Sequence, residues 1–121
     1  MTDAFLSDMI RDGVLVMEKI LEKTLLFDFY GELLTKHQQD IYENVVLNDM
    51  TLSEAAELYG ISRQGIHDVI RRCDKIMEEF EEKLHNIERY ENIRKKVLKL
   101  KKISGEEENE LLDGILEDLD S

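Results

Sequence analysis

Seven polar side chains between positions 63 and 75 have the types and spacing to contact nucleic-acid bases and phosphates. They are Arg63, Gln64, His67, Asp68, Arg71, Arg72 and Lys75. Because an α-helix has about 3.6 residues per turn, separations of one, three and four place them on one broad face. A guanidinium can bind guanine O6 and N7, and a carboxamide can bind adenine N6 and N7. The pattern predicts base contacts at Arg63 and Gln64 and phosphate contacts at Arg71, Arg72 and Lys75.

The stretch that must position these side chains is LSEAAELYGISRQGIHDVI, Leu52–Ile70, which has the spacing of a helix-turn-helix. In that motif small residues let two helices approach, and a glycine in the turn adopts a positive φ. Ala55, Ala56 and Gly60 occupy those positions. Six apolar residues are predicted to face inward: Leu52, Leu58, Ile61, Ile66, Val69 and Ile70.

Hydroxyl side chains precede four predicted helices, where each can cap unpaired backbone N–H groups. They are Thr35, Thr51, Ser62 and Ser104. Three of them have the glutamine or glutamate of a reciprocal capping box three residues later: Thr35 with Gln38, Thr51 with Glu54, and Ser104 with Glu107. These caps predict helix starts near positions 36, 52, 63 and 105.

Apolar periodicity predicts helices through the rest of the chain. The first, within Met17–Leu34, has an apolar face formed by Ile20, Leu21, Leu25, Phe29 and Leu33. The second runs from about Lys36 to Leu47, with Ile41, Tyr42 and Val45 as its core positions. Asn48 and Asp49 then predict a turn, because both side chains bond to nearby backbone.

A long apolar seam follows the recognition helix: Cys73, Ile76, Phe80, Leu84, Ile87, Tyr90, Ile93, Val97 and Leu100. Its eight steps cover 27 residues, and a spacing of about 3.4 is close to that of a coiled coil. One helix over Arg63–Lys102 would be roughly 60 Å long, too long for a small domain to cover. It must therefore break, with Asn86 as a candidate, or pair with a second chain. A last helix is predicted over about Gly105–Leu119.

The charge of the chain is −12, but it is unevenly distributed. Residues 35–77 carry seven acids and five bases, whereas residues 78–121 carry fourteen acids and eight bases. Within the latter, Ile93–Lys102 has six bases and no acid, and the segment Glu106–Asp120 has eight acids and no base. We hypothesise that the acidic segment Glu106–Asp120 packs on or shields the basic segment Arg94–Lys102. Contact of the basic run with RNA or DNA phosphates, or with a membrane surface, stays open.

The sequence argues against an enzyme, a metal centre and a bound cofactor. His37, His67 and His85 are scattered, and the glycines form no phosphate-binding loop. The single cysteine, Cys73, falls on the apolar side of its helix, which favours a core role. It also fits a reducing compartment. The chain has neither a secretory signal nor an apolar run of membrane-spanning length, so a cytoplasmic protein is expected.

The segment Leu33–Leu84 resembles the YlxM family of small bacterial proteins, and GISRQGIHDVIRR is its most specific part. Its middle is similar to the helix-turn-helix of region 4 in sigma-70-type factors. The resemblance covers Met17 to about Tyr90. It implies an all-helical fold, a homodimer and a link to the signal recognition particle pathway that rests on gene neighbourhood. Gly65 departs from the family pattern, because the family's usual residue at this position looks like alanine.

Together these features predict an all-α protein in three parts. Residues 1–16 are an extension, interpreted as either an extra helix or an extended translation start; residues 17–90 are a sigma-70 region 4-like helix-turn-helix domain; and residues 91–121 are a basic then acidic C-terminal helical arm. The predicted function is a DNA-binding regulatory protein linked to the signal recognition particle pathway. The alternative is a protein–protein adaptor that uses the helix-turn-helix as a scaffold.

Overall fold

The computed structural model describes residues 18–120, which form six α-helices and no strand. α1 occupies residues 18–30 and is followed by α2 (Lys36–Tyr42), α3 (Leu52–Tyr59), α4 (Arg63–Leu84), α5 (Asn86–Ile103) and α6 (Glu106–Asp120). A 3-10 turn (Gly31–Leu33) follows α1, and one π-helical segment (Glu43–Leu47) follows α2. The all-α helix-turn-helix fold is thus confirmed. The interpretation of residues 1–16 lies outside the described residues.

The chain divides into two compact units between Lys83 and Leu84. The core of the first unit joins α1, α2 and α4 through aromatic side chains. The ring of Phe27 stacks on that of Tyr42 with centroids 5.4 Å apart, and the Tyr30 and Phe80 rings stack at 6.1 Å. Such aromatic pairs contribute stabilisation beyond their buried area.

Polar side chains at the edge of this core connect the same helices. The Tyr42 hydroxyl donates to an Asp74 carboxylate oxygen at 2.7 Å, and Lys23 Nζ lies 3.2 Å from the other oxygen. The Tyr30 hydroxyl donates to Glu81 Oε1 at 2.6 Å. The hydroxyl groups of the buried Tyr30 and Tyr42 therefore both have hydrogen-bond partners, as buried polar groups require.

The apolar face predicted for α1 is not the face that packs. Ile20, Leu21 and Leu33 are each more than half exposed, whereas Tyr30 and Leu34 are buried. The prediction was wrong because it placed Phe29 rather than Tyr30 on the inner face of the helix. Tyr30 is buried among aromatic partners with a hydrogen bond for its hydroxyl, and this rotates α1 away from the aliphatic stripe.

The predicted helix over Lys36–Leu47 is divided into α2 and the π-helical segment. The Asn48 N–H donates to the Glu43 carbonyl at 3.0 Å, five residues earlier, which defines the π geometry. Asp49 then adopts a φ of +57° in the predicted turn. Ile41 and Tyr42 are buried as predicted, and Val45 is half-buried.

The helix predicted over Arg63–Lys102 breaks at His85. His85 has a φ of +55°, in the left-handed region, and α5 begins at Asn86. The break lies one residue before the predicted candidate, and His85 Nδ1 lies 3.0 Å from Glu88 Oε2 in the first turn of α5. The break divides the predicted long helix into two shorter helices. A second chain is therefore no longer required to cover the apolar seam.

The second unit is a hairpin of α5 and α6 with Val97 and Leu112 buried between them. Arg94 Nη1 lies 3.2 Å from Asp120, and Lys101 pairs with Asp113. The acidic helix therefore packs on the basic one, as hypothesised. The cap of α6 is Gly105, whose carbonyl accepts from Asn109 N–H, so Ser104 was wrongly predicted as the cap. Its hydroxyl donates instead to the Leu100 carbonyl.

No helix within residues 18–120 is long and apolar enough to cross a membrane.

Candidate nucleic-acid interface on α4

The inner face of α4 fixes the helix to the first unit. Ile66, Cys73 and Met77 are fully buried, and Ile70 is nearly so. At about 100° per residue these four positions cover roughly a sixth of the helix circumference. This narrow apolar stripe sets the rotation of α4, so it also sets which side chains face away from the protein.

All seven predicted site residues lie on α4 and are exposed: Arg63, Gln64, His67, Asp68, Arg71, Arg72 and Lys75. They spread over about half of the helix circumference and about 18 Å of its length, at 1.5 Å per residue. Four bases and one acid make this surface positive, although the whole chain has a net charge of −12. An α-helix of this kind fits the major groove of B-DNA, which is about 12 Å wide.

The turn before α4 has the predicted backbone geometry. Gly60 ends α3 in the left-handed region with a φ of +68°, and the Ile61 N–H donates to the Ala56 carbonyl at 3.2 Å. No atom lies within 4 Å of a Cβ added at Gly60, so its conformation rather than space requires glycine. Ser62 then caps α4, with its hydroxyl oxygen accepting from the Gly65 N–H at 2.9 Å.

Two of the other predicted caps also form at the first unit's helices. Thr35 Oγ1 accepts from the Gln38 N–H at 3.2 Å and Gln38 Oε1 accepts from the Thr35 N–H at 3.0 Å, a complete capping box. Thr51 Oγ1 accepts from the Glu54 N–H at 3.1 Å. These caps place the starts of α2, α3 and α4 at the predicted positions.

α3 packs through the predicted face at Leu52 and Ala55 but not at Leu58. Ala55 is buried and Leu52 and Tyr59 are half-buried, but Leu58 is 61% exposed. Leu58 was wrongly predicted to face inward, because it lies about 110° around the helix from the middle of the packed face. Tyr59 is on that packed face and accepts a 2.6 Å hydrogen bond from Asn44 Nδ2 in the π-helical segment.

The start of α3 and the start of α4 form one open depression on this surface. It is lined by Leu52, Arg63, Gln64 and His67. Arg63 and Gln64, which are predicted to contact bases, therefore lie beside the first residue of α3. Helix-turn-helix proteins contact base edges with the N-terminal part of this second helix.

A hydrogen bond within the surface was not predicted from the sequence. The Gln64 side-chain amide donates from Nε2 to Asp68 Oδ1 at 2.9 Å. The spacing of four residues on a helix is a signal that could have indicated it. Asp68 therefore holds the side chain of Gln64, in addition to adding a negative charge to the surface.

Two side chains at the start of α2 that could lie near a bound nucleic acid have partners within the first unit. Lys36 Nζ lies 3.1 Å from Asp40, one turn along α2. The rings of His37 and Tyr59 pack edge to face with centroids 5.8 Å apart. Both side chains can still contact a ligand, but Lys36 would first have to leave Asp40 and His37 would have to leave Tyr59.

Residues 18–120 contain no cluster of three or more His, Cys, Asp or Glu side chains placed to bind a metal. Cys73 is fully buried, and burial together with the neighbouring Asp74 charge raises the pKa of its thiol to about 11. A thiol that stays protonated is a poor nucleophile.

Comparison with known proteins agrees with this geometry. A family model described as "Putative helix-turn-helix protein, YlxM / p13 like" matches residues 17–115. The chain belongs to this family, UPF0122. The UPF0122 match includes all seven predicted site residues of α4 and extends through most of the C-terminal hairpin, farther than the resemblance predicted from the sequence.

Individual UPF0122 proteins align over most of their length. The UPF0122 protein of Thermoanaerobacter sp. (strain X514) is 47% identical over 85 residues, which are 70% of this chain and 73% of that protein. The UPF0122 protein of Bacillus cereus (strain AH187) is 38% identical over 94 residues, 78% of this chain and 86% of that protein. The predicted relation to the YlxM family is confirmed.

Proposed function

We propose that this UPF0122 protein is a cytoplasmic regulator that binds duplex DNA through the outer face of α4. The observation that carries the proposal is the arrangement of the seven exposed polar side chains around a helix whose opposite face is buried. Arg63 and Gln64, in the first turn, are assigned to base edges. Arg71, Arg72 and Lys75 follow along the helix and are assigned to phosphates.

The electrostatics of the chain set the strength of this interaction. Arg63, Arg71, Arg72 and Lys75 offer four positive contacts, and each phosphate neutralised contributes about −0.9 to the slope of log affinity against log salt. One chain therefore has a slope of at most about −3.6. Asp68 on the same face reduces the attraction further. DNA binding is expected to be weak per chain and strongly salt-dependent.

The proposal is tested by fluorescence anisotropy with duplexes from the region upstream of the protein's own operon, at two salt concentrations. The wild-type chain should prefer one duplex over scrambled duplexes of equal composition. Arg63→Ala and Gln64→Ala should each remove roughly tenfold or more of that preference, because a good bidentate base contact is worth about 1–3 kcal/mol.

Lys19→Ala is the matched control for Arg63→Ala. Lys19 is exposed on α1, so its replacement removes one positive charge without touching α4. It should leave sequence preference unchanged. Absence of binding to every duplex at low salt would overturn the proposed function.

A second candidate function is that of a protein–protein adaptor. Exposed apolar side chains in the first unit support it: Ile20, Leu21, Leu33 and Leu58 are all more than half exposed. Apolar surface of this kind marks contact sites when it is contiguous. Co-purification of one defined protein with the chain, together with no DNA binding at low salt, would favour the adaptor.

The homodimer and the link to the signal recognition particle pathway are proposals that rest on the YlxM resemblance alone. A dimer would double the number of phosphate contacts and so steepen the salt dependence. Sedimentation at micromolar concentration tests it directly, and a monomer would contradict it.

A further inference from the structure

The contact between Gln64 and Asp68 occurs in the first turns of α4, within the surface assigned to base edges. Both side chains are exposed, and Gln64 Nε2 donates to Asp68 Oδ1 at 2.9 Å. Within residues 18–120 the Gln64 amide makes no second side-chain hydrogen bond. One N–H and the carbonyl oxygen of the amide are therefore free for a ligand.

Those two free groups are the pair that an adenine base requires. In the major groove adenine presents N7, which accepts a hydrogen bond, and the N6 amino group, which donates one. A carboxamide matches them with one N–H and its oxygen, and its second N–H is then left over. In a dehydrated interface an unpaired donor lowers affinity, so this second N–H needs an acceptor of its own.

We infer that Asp68 is a positioning residue that holds the Gln64 amide for an adenine in the major groove. The carboxylate accepts the surplus N–H in a charge-assisted hydrogen bond, which is stronger than a neutral one. It also fixes which edge of the amide faces the base. This inference rests on the proposed DNA binding and names the base that Gln64 recognises.

The charge of Asp68 also lowers the affinity of the protein for DNA of any sequence, whereas its hydrogen bond to Gln64 favours adenine. A carboxylate on the DNA-facing surface repels phosphates whatever the base sequence. Removing the charge should therefore tighten binding to every duplex, while removing the acceptor should weaken only the preference for adenine. The two effects can be separated because asparagine lacks the charge but keeps an acceptor oxygen, whereas alanine lacks both.

The test begins with selection by the full-length chain from a pool of duplexes with a randomised core. The preferred adenine in the enriched sequence is then replaced by 7-deazaadenine, which keeps base pairing and the amino group but has no N7 acceptor. Wild-type protein should lose roughly tenfold or more in affinity on this change. Gln64→Ala should be insensitive to it.

Asp68→Asn and Asp68→Ala make the decisive comparison. Both should bind scrambled duplexes, which lack the selected adenine, more tightly than Asp68→Glu, which retains the charge. Asp68→Asn should keep the wild-type sensitivity to 7-deazaadenine within about twofold, and Asp68→Ala should fall to about threefold or less. Equal melting temperatures of the two variants establish that helix stability does not account for the difference.

The outcomes separate this inference from the function on which it depends. If the wild-type chain enriches no duplex and binds none at low salt, the proposed function fails. If it enriches a sequence but no adenine in it depends on Gln64, or if Asp68→Ala and Asp68→Asn respond alike, DNA binding stands and the role of Asp68 is wrong.

Discussion

Gly60 and Gly65 lie five residues apart, but their backbones require glycine to different degrees. Gly60 has a φ of +68°, where a Cβ is costly. Gly65 lies in the first turn of α4, and a Cβ there would meet Ser62 Oγ at 3.2 Å. The equivalent cap positions on α2 and α3 hold Gln38 and Glu54, which have side chains and still bond to their caps at 3.2 and 3.1 Å.

Gly65→Ala should therefore stabilise the protein by roughly 0.5–1 kcal/mol, because alanine loses less backbone entropy in a helix. The Ser62 cap lengthens slightly and is retained. Gly60→Ala is the matched control and should destabilise by about 1 kcal/mol or more. Urea unfolding measures both. A loss of stability in Gly65→Ala would show that the contact with Ser62 outweighs the gain in helix propensity.

The stability of the first unit should depend on alkaline pH through Cys73. Burial raises the pKa of this thiol from 9.0 to about 11 in the folded state. Since the unfolded chain releases the proton first, stability is complete below pH 9 and falls as pH rises toward 11. The slope contributed by one group is at most about 1.4 kcal/mol per pH unit.

Chemical denaturation at pH 8, 9, 10 and 11 would measure this dependence, and Cys73→Ala should flatten it between pH 9 and 11. Tyr42 adds to the decline above pH 10, because burial and its hydrogen bond to Asp74 raise its pKa. A wild-type curve that is flat across this range would contradict the assignment.

At the scale of residues, the sequence predicted the exposure of the seven side chains of α4 but not the contact between Gln64 and Asp68. Exposure follows from helical periodicity, which fixes angles around the axis. A side-chain hydrogen bond depends also on rotamers, which periodicity does not determine. Leu58 was misassigned because Tyr59, rather than Leu58, completes the packed face of α3 with Leu52 and Ala55.

At the scale of elements, the π-helical segment and α3 are joined by the Asn44–Tyr59 hydrogen bond. Tyr59→Phe removes the acceptor and leaves the half-buried Asn44 donor without its partner. The free energy of unfolding should fall by about 0.5–1.5 kcal/mol. A double-mutant cycle with Asn44→Ala isolates this contact, and a coupling energy near zero would show that it contributes nothing.

The positive charges on α4 should determine the salt dependence of the proposed DNA binding. Lys75→Gln should reduce the slope of log affinity against log salt by about 0.9, one phosphate contact. Lys83→Gln is the matched control, since it removes the same charge from the exposed C-terminal turn of the same helix. Equal slopes for wild type and Lys75→Gln would remove Lys75 from the interface.

Helix starts were predicted more accurately than helix irregularities. Thr35, Thr51 and Ser62 each bond to a nearby backbone N–H, so local sequence suffices to locate the starts. The π-helical segment and the break at His85 have no comparable local signal. No glycine or proline marks either position, and the sequence gives no local reason for the left-handed backbone at His85.

At the scale of the whole molecule, the acidic C-terminal helix should weaken contact with nucleic acids. Asp113 and Asp120 pair with Lys101 and Arg94 and so neutralise two of the six bases in residues 93–102. The double variant Asp113→Asn/Asp120→Asn should bind a duplex more tightly at low salt. The gain should diminish at high salt, because salt screens exposed charges.

Glu106→Gln/Glu107→Gln is the matched control for that double variant. Both glutamates are exposed, carry the same two charges and form no ion pair within residues 18–120. If the two double variants tighten binding equally, total charge alone accounts for the effect and the specific shielding is wrong. Deleting residues 105–121, as a separate variant, should tighten binding further.

The separation of α4 into a buried face and an exposed face also bears on how such a protein can evolve. Ile66, Cys73 and Met77 have no exposed surface, so mutations there disturb packing. Arg63 and Gln64 take no part in that packing, so they can change while the fold stays intact. Under the proposed function, a lineage with this scaffold can therefore change its base preference by point mutation at Arg63 or Gln64 without disturbing the packed face of α4.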